Sequence, residues 1–250
     1  MSEERKLLTH KDPWWGEHEQ RYLKAREFLS SSDIVLDIAC GTGYGAEILS
    51  HKVKQVIGGD LNVAAIDYNN KFYDLPNLRF EVIDGTNLPF ENNTFNALIS
   101  FETIEHTRDY ILMLNEFKRI VISGGTIIIS TPNFYLNSPN GYIVNKFHTQ
   151  EWTPSEFKEL INSLFGEFEY YGQEYIRYKK KGLKYRIANV VERIFYIRGF
   201  RKLPLIFQDA IMKFIIGKGQ YPEACDYEWT DNFETIEKKC ITQIAVIKIP

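Results

Sequence analysis

The sequence predicts an α/β fold: a seven-stranded, mostly parallel sheet with one reversed strand and helices on both faces. Three observations predict it. Short, β-branched apolar runs alternate with helical patterns from Ile34 onward. The runs are mostly apolar throughout, as strands covered on both faces are. The first run ends in a glycine-rich turn that opens a helix. The 250 residues suffice for one large domain, and 44% hydrophobic with 25% charged residues excludes disordered, collagen-like and low-complexity classes.

Residues 14–29 place Tyr22, Leu23, Ala25, Phe28 and Leu29 near helical spacing, and the Ser30-Ser31-Ser32-Asp33 run ends that helix. Residues 34–38 then read as a strand and 44–50 as a helix, followed by strand 55–60, helix 63–73 and strand 78–84. A fourth strand over 95–101, a helix over 110–121 and a fifth strand over 126–130 continue the alternation. A polar loop over 133–150 leads to a helix over 154–165, with Thr153 as N-cap and Pro154 as first helical residue. Residues 168–178 and 241–249 are strand-like and able to close the sheet as an antiparallel pair. Residues 1–250 thus read as a single domain carrying a basic helical insertion over 177–240. There, Ile187, Val190, Val191, Ile194, Phe195 and Ile197, then Ile211, Phe214 and Ile215, predict two amphipathic helices separated by Gly199 and Pro204.

The net charge of −3 is unevenly placed. Residues 176–220 hold twelve Lys/Arg against two acids, a local +10, which leaves −13 on the remainder. Lys179, Lys180, Lys181, Lys184 and Arg186 suit a phosphate-bearing acceptor or an anionic membrane surface. The plainer reading is a helical layer packed on the sheet or on a second subunit. A long RNA is disfavoured by the acidic remainder. No apolar stretch reaches the roughly 18–20 residues of a membrane span, and the charged opening MSEERKLLTHKD does not read as a signal peptide. Cys40, Cys225 and Cys240 are odd in number and form no C-x-x-C, so the expected setting is reducing and cytoplasmic, with peripheral membrane contact through 177–220.

The turn after the first strand, Asp37-Ile38-Ala39-Cys40-Gly41-Thr42-Gly43-Tyr44-Gly45, allows close approach of a ligand to the backbone ahead of a helix N-terminus. Asp60 and Asp84 end the second and third strands, where they either face a ligand or cap turns. A dinucleotide fingerprint would place a third glycine where Ala46 stands; alanine is tolerated there, so a nicotinamide-dependent dehydrogenase is one reading.

The ordered set VLDIACGTGYG, GGDLN, VIDGTNLPF and FNALISFETIEH, over roughly residues 18–131, resembles the class I S-adenosylmethionine-dependent methyltransferases, which share a Rossmann-like sheet. The resemblance implies that Asp37 and the loop Ala39, Cys40, Gly41, Gly43 and Tyr44 hold the methionine part of S-adenosyl-L-methionine. It implies that Asp60 takes the ribose hydroxyls, Leu61 packs on adenine, and Asp84 with Gly85 faces the adenine amino edge, with Ser100 in the same site. Arg21 or Tyr22, after Glu17-His18, would reach the cofactor carboxylate. Carboxylates suit this cofactor, which presents an ammonium and a diol and no pyrophosphate.

Glu102, Glu105 and His106 follow the fourth strand at offsets that share one side of a helical turn. His148-Thr149-Gln150-Glu151-Trp152-Thr153 lies farther on. E-x-x-E-H with H-x-x-E-W-T resembles the small-RNA 3′-terminal 2′-O-methyltransferases and the ubiquinone-pathway O-methyltransferases. In the RNA branch the equivalent residues hold a divalent ion, which implies a magnesium or manganese site of Glu102, Glu105, His106 and His148. Alternatively His106 alone is a general base beside Glu102, or the segment is a solvated helix start. Tyr44, Phe101 and Trp152 are pocket walls or plain core. The TPN and FH-x-x-EWT segments also resemble methyltransferases of bacterial surface-polysaccharide and natural-product pathways. The expectation is O-methylation of a small or saccharide-like, phosphate-bearing acceptor. The rival functions are a small-RNA terminal methyltransferase, the dehydrogenase, and a non-catalytic membrane-associated scaffold.

Overall fold

The computed structural model describes residues 14–179, 182–196, 204–219 and 221–250. They fall into two compact units, one holding residues 21–174 and 229–250 and the other 14–20 and 175–228. Lys180, Lys181, Ile197 and Gly199, singled out above, lie outside the described residues.

The sheet has eight strands rather than seven: β1 Ile34–Ile38, β2 Gln55–Asp60, β3 Leu78–Val82, β4 Phe95–Phe101, β5 Val121–Pro132, β6 Phe168–Tyr175, β7 Tyr227–Thr230 and β8 Thr242–Lys248. Their order is β3-β2-β1-β4-β5-β8-β6-β7. The added strand is β7, a four-residue edge with no full period of alternation from which to recognise it. β1 pairs in parallel with β2 and β4, and β4 with β5. β8 runs antiparallel to both β5 and β6, so the reversed strand is the one the sequence placed last.

Alternation along the strands feeds two cores. Leu36 and Ile38, with Leu98, Ile127, Ile129 and Ile247, face one side, where Phe117 of α4 (Tyr110–Ile120) and Phe157 and Ile161 of α6 (Pro154–Phe165) cover them. Val35, Val56, Ile99, Ile128 and Val246 face the other, under Tyr22 and Ala25 of α1 (Trp15–Ala25), Leu49 of α2 (Tyr44–Ser50) and Ile66 of α3 (Val63–Phe72). At roughly 1.5–3 kcal/mol per fully buried aliphatic or aromatic side chain, these two layers supply the main driving force for this unit. Thr153 caps α6 in a reciprocal pair with Glu156, and Pro154 takes the first helical position, as the sequence indicates. Two short helices, α5 (Phe134–Asn137) and α9 (Phe233–Lys239), were not foreseen.

In the other unit, α7 (Leu183–Tyr196) and α8 (Leu205–Ile216) are the two helices expected of the insertion, and Ala188 and Met212 are buried between them. Among the described residues no helix is long and apolar enough to cross a membrane.

Candidate active site

The strand order reverses between β1 and β4, the switch point at which sheets of this kind form a crevice at the carboxyl ends of their strands. The loop leaving β1 enters it with Ala39, Gly41 and Gly43 all at positive φ, 61°, 53° and 79°. A left-handed alanine costs roughly 1–2 kcal/mol, and such strain persists only where the surroundings impose it. Here they do: Cys40 N donates to Gly59 O, Asn69 Nδ2 to Gly41 O at 2.9 Å, and Tyr73 Oη to Thr42 O at 3.1 Å. A Cβ built on Gly41 would meet no heavy atom within 4 Å, so the crest of the loop has open room; one on Gly45 would land 2.0 Å from the Tyr22 ring.

Asp37 is fully buried at the end of β1. Tyr22 Oη donates to its Oδ1 at 3.1 Å, and its Oδ2 has no hydrogen-bond partner among the described residues. Burial, eased by the Tyr22 hydrogen bond and reinforced by the nearby Asp60 charge, pushes this carboxyl up to about 8. Ser100 Oγ, near the end of β4, is likewise buried without a partner. An orphaned carboxylate oxygen is costly in an apolar interior, and a cationic donor is the group that satisfies it best. Cys40 is buried at the foot of the loop, and Tyr44 packs edge-on against Tyr22.

Asp60, at the end of β2, accepts from Gly41 N at 3.0 Å and from Asn62 N at 2.8 Å, so it braces the loop and opens α3. Leu61 beside it is 59% exposed. Asp84 Oδ1 accepts from the Thr86 backbone and hydroxyl, a turn-capping role. Gly85 lies where a Cβ would come 3.0 Å from Met113 Cε.

Arg21 is engaged by three side chains of the same unit. Its guanidinium, 1% exposed, pairs with Glu102 Oε1 at 3.0 Å and donates to Gln173 Oε1 at 3.0 Å and Ser130 Oγ at 3.3 Å. Ser130 Oγ donates in turn to Glu102 Oε1 at 2.7 Å. Arg21 therefore anchors the end of β4 to β5 and β6. Glu102, at φ 52°, precedes the turn and does not share a helical face with the residues that follow.

Glu105 and His106 sit in a 3-10 turn, Ile104–His106, and the loop bearing His148 is sewn onto that turn. Thr149 N donates to Glu105 O at 2.7 Å, Gln150 Nε2 to Thr107 O at 2.7 Å, and His106 Nδ1 lies 3.2 Å from Phe147 O. Ligand-capable atoms of Glu105, His106 and His148 consequently fall within 4.8 Å of one another. Glu102 is not in that group, because its carboxylate is committed to Arg21; the four-residue set reduces to three. Glu105 is fully buried, with Oε2 accepting from Thr131 at 2.9 Å and Oε1 without a hydrogen-bond partner among the described residues. Burial, then the Glu102 charge, pushes it well above the usual carboxylate range.

Glu151, given no role by the sequence, is the hub of this loop. Its side chain is fully buried, meets His148 Nδ1 at 2.6 Å, and accepts from Ser138 Oγ at 2.8 Å and from Asn137 Nδ2. The i,i+3 spacing of His148 and Glu151 was the available cue. Trp152 is core, edge-on against Tyr110, and Phe101 packs on Tyr22.

A strained glycine loop with buried acids stands at the topological switch point of an α/β sheet. Residues 36–129 match the family model described as a methyltransferase domain. The chain is 29% identical over 163 residues to a protein named a probable S-adenosylmethionine-dependent methyltransferase of Mycolicibacterium smegmatis, covering 65% of this chain and 62% of that one. It is 34% identical over 93 residues to a phthiotriol/phenolphthiotriol dimycocerosates methyltransferase of Mycobacterium leprae, covering 36% of this chain and 34% of that one. The chain thus spans less than two thirds of the length of these curated relatives. A solved methyltransferase structure from Thermotoga maritima shares the fold, with a TM-score of 0.59, 15% identity, and 95% and 90% of the two chains covered. Residues 36–129 thus match a methyltransferase domain, and the chain is similar in sequence to S-adenosylmethionine-dependent methyltransferases and in fold to a solved one.

Proposed function

We propose that the protein is an O-methyltransferase that uses S-adenosyl-L-methionine to methylate a hydroxyl of a small or saccharide-like acceptor. The observation that carries this reading is the Glu105–His106–His148 cluster, formed by the turn that follows β4 and by the loop hydrogen-bonded to it. The residues fit the cofactor: Asp37 Oδ2 is a buried acceptor awaiting a cationic donor, and the Gly41 crest is open. S-adenosyl-L-methionine supplies an electrophilic methyl group. What the chain must then do is hold an acceptor hydroxyl and take its proton. His106, with its side chain 34% exposed, is placed to accept that proton, and Glu105 Oε1 lies 3.8 Å from its Nε2. The M. leprae relative is named for a triol, an acceptor class consistent with hydroxyl chemistry.

One specific observation favours a second reading, in which the same three residues hold magnesium or manganese. His148 is braced by Glu151 through Nδ1, as metal-bound imidazoles commonly are, and two imidazoles with a carboxylate suit a medium-hard ion. Such an ion would lower the pKa of an acceptor hydroxyl.

The test is methyl transfer to a panel of sugars, diols and phenols by wild type, His106→Ala and His148→Ala, with and without Mn²⁺, alongside calorimetric Mn²⁺ titration. Loss of roughly 10²–10⁴-fold in His106→Ala without any Mn²⁺ dependence supports the base. One saturable Mn²⁺ site, abolished in His148→Ala, supports the ion. S-adenosylhomocysteine binding without transfer to any hydroxyl overturns O-methylation.

A further inference from the structure

We infer that the helix pair α7–α8 is a docking surface for an anionic lipid bilayer. The inference is independent of the methyl-transfer reading, because it concerns the unit of residues 175–228 alone. Its evidence is the sidedness of the two helices. On α7, Ala188 is buried and Val191 packs inward, whereas Leu183, Ile187 and Val190 are exposed. Their i, i+4, i+7 spacing makes one stripe along the outward face. Lys184 and Arg186, both exposed, flank it on opposite sides at about 3.6 residues per turn.

α8 repeats the pattern. Met212 is buried and Ile215 and Ile216 are half-buried, whereas Ile206, Phe207, Ile211 and Phe214 are exposed, Phe214 by 92%. Phe207, Ile211 and Phe214 again follow i, i+4, i+7, with Lys213 exposed nearby. Seven large apolar side chains left in water over two short helices mark an interaction surface rather than scattered exposure.

Charge selects the occupant. Residues 176–220 carry +10 in a chain whose remainder carries −13. A second copy would have to pack this cationic segment against its like, and the −13 elsewhere must stay clear of an acidic surface. An interfacial helix with an apolar stripe flanked by Lys/Arg buries its stripe at the headgroup–acyl boundary, and each cation adds about fivefold in affinity for an anionic leaflet. Neither helix is long enough to span.

The experiment is co-sedimentation of the full chain with vesicles of phosphatidylcholine alone and of phosphatidylcholine with phosphatidylglycerol, at low and high salt. Two variants accompany it, Phe207→Glu/Phe214→Glu and Lys184→Glu/Arg186→Glu. All four side chains are exposed, so both variants should keep the wild-type melting temperature. The inference requires binding to the anionic vesicles that weakens with salt and falls by about tenfold or more in each variant. Absence of binding to anionic vesicles, equal binding to both vesicle types, or binding indifferent to the variants overturns it. So does a stable dimer by light scattering that Phe207→Glu/Phe214→Glu dissociates, since a second copy would then cover this face.

Discussion

Tyr22 and Asp37, fifteen residues apart in sequence, meet at 3.1 Å beneath the glycine loop, and they leave one oxygen of the acid, Oδ2, buried and unpartnered. One hydrogen bond does not offset the burial, so the carboxyl is held up to about 8 and is largely protonated at neutral pH.

Because Asp37 binds its proton more tightly folded, at about 8, than unfolded, near 3.8, the folded protein holds more protons between those values. Stability of the cofactor-free protein therefore falls as pH rises through that window, by at most about 1.4 kcal/mol per pH unit from this group. Asp37→Asn should flatten the slope and raise the melting temperature at pH 8, as pH-dependent thermal melts will show. The same variant should weaken S-adenosylhomocysteine binding. For wild type, affinity should rise with pH up to about 8, because the cofactor's ammonium favours the ionised carboxylate.

Gly45→Ala should destabilise by about 1–3 kcal/mol, since its Cβ would fall 2.0 Å from the Tyr22 ring and the ring is wedged between Tyr44 and Phe101. Chemical denaturation gives the size of the effect. Pairing with Tyr22→Ala should recover much of the overlap cost, and additivity of the two changes would refute the contact.

Arg21→Lys should behave as a disruptive change. A lysine keeps the charge but cannot reproduce the three-way contact to Glu102, Ser130 and Gln173, and each hydrogen bond lost from the charged group costs about 1.5–3 kcal/mol. Denaturant midpoints compare it with Arg21→Met/Glu102→Gln, which removes both charges and should lose less. Equal stability of Arg21→Lys and wild type would show that the pair carries little.

Glu151→Ala should cost about 1–3 kcal/mol, because it takes the acceptor from the buried Ser138 hydroxyl and the half-buried Asn137 amide, and should loosen His148. If His148 serves the reaction, kcat falls more than KM rises, and Glu151→Gln, which keeps an acceptor, should recover part of the loss.

The sheet was legible because β1, β4 and the second half of β5 are buried and read as apolar runs between turn residues, and edge strand β3 still alternates around its buried Phe80. β5 begins five residues before Thr126, since Ser123-Gly124-Gly125 looks like a turn; the strand passes through it with Gly124 at φ 76° and a register shift between Phe95 and Ala97. β7 and α9 carry too few periods to be recognised. The positions of Asp37 and Asp60 at the ends of β1 and β2 were legible because local spacing sets them. The ion pair of Arg21 with Glu102 was not, as the two are distant in sequence and only the fold brings them together. His148 was found by its motif, whereas Glu151 stood in the same motif and its burial could not be read from spacing.

The central claim is that the crevice at β1 and β4 holds S-adenosyl-L-methionine through Asp37. Calorimetric titration of S-adenosylhomocysteine into wild type and Asp37→Ala, with NAD as the competing ligand, tests it most directly. The account predicts one saturable site in wild type, its affinity reduced by about tenfold or more in Asp37→Ala, and no response to NAD. Binding of NAD in place of S-adenosylhomocysteine, or equal S-adenosylhomocysteine affinity in both proteins, would contradict it.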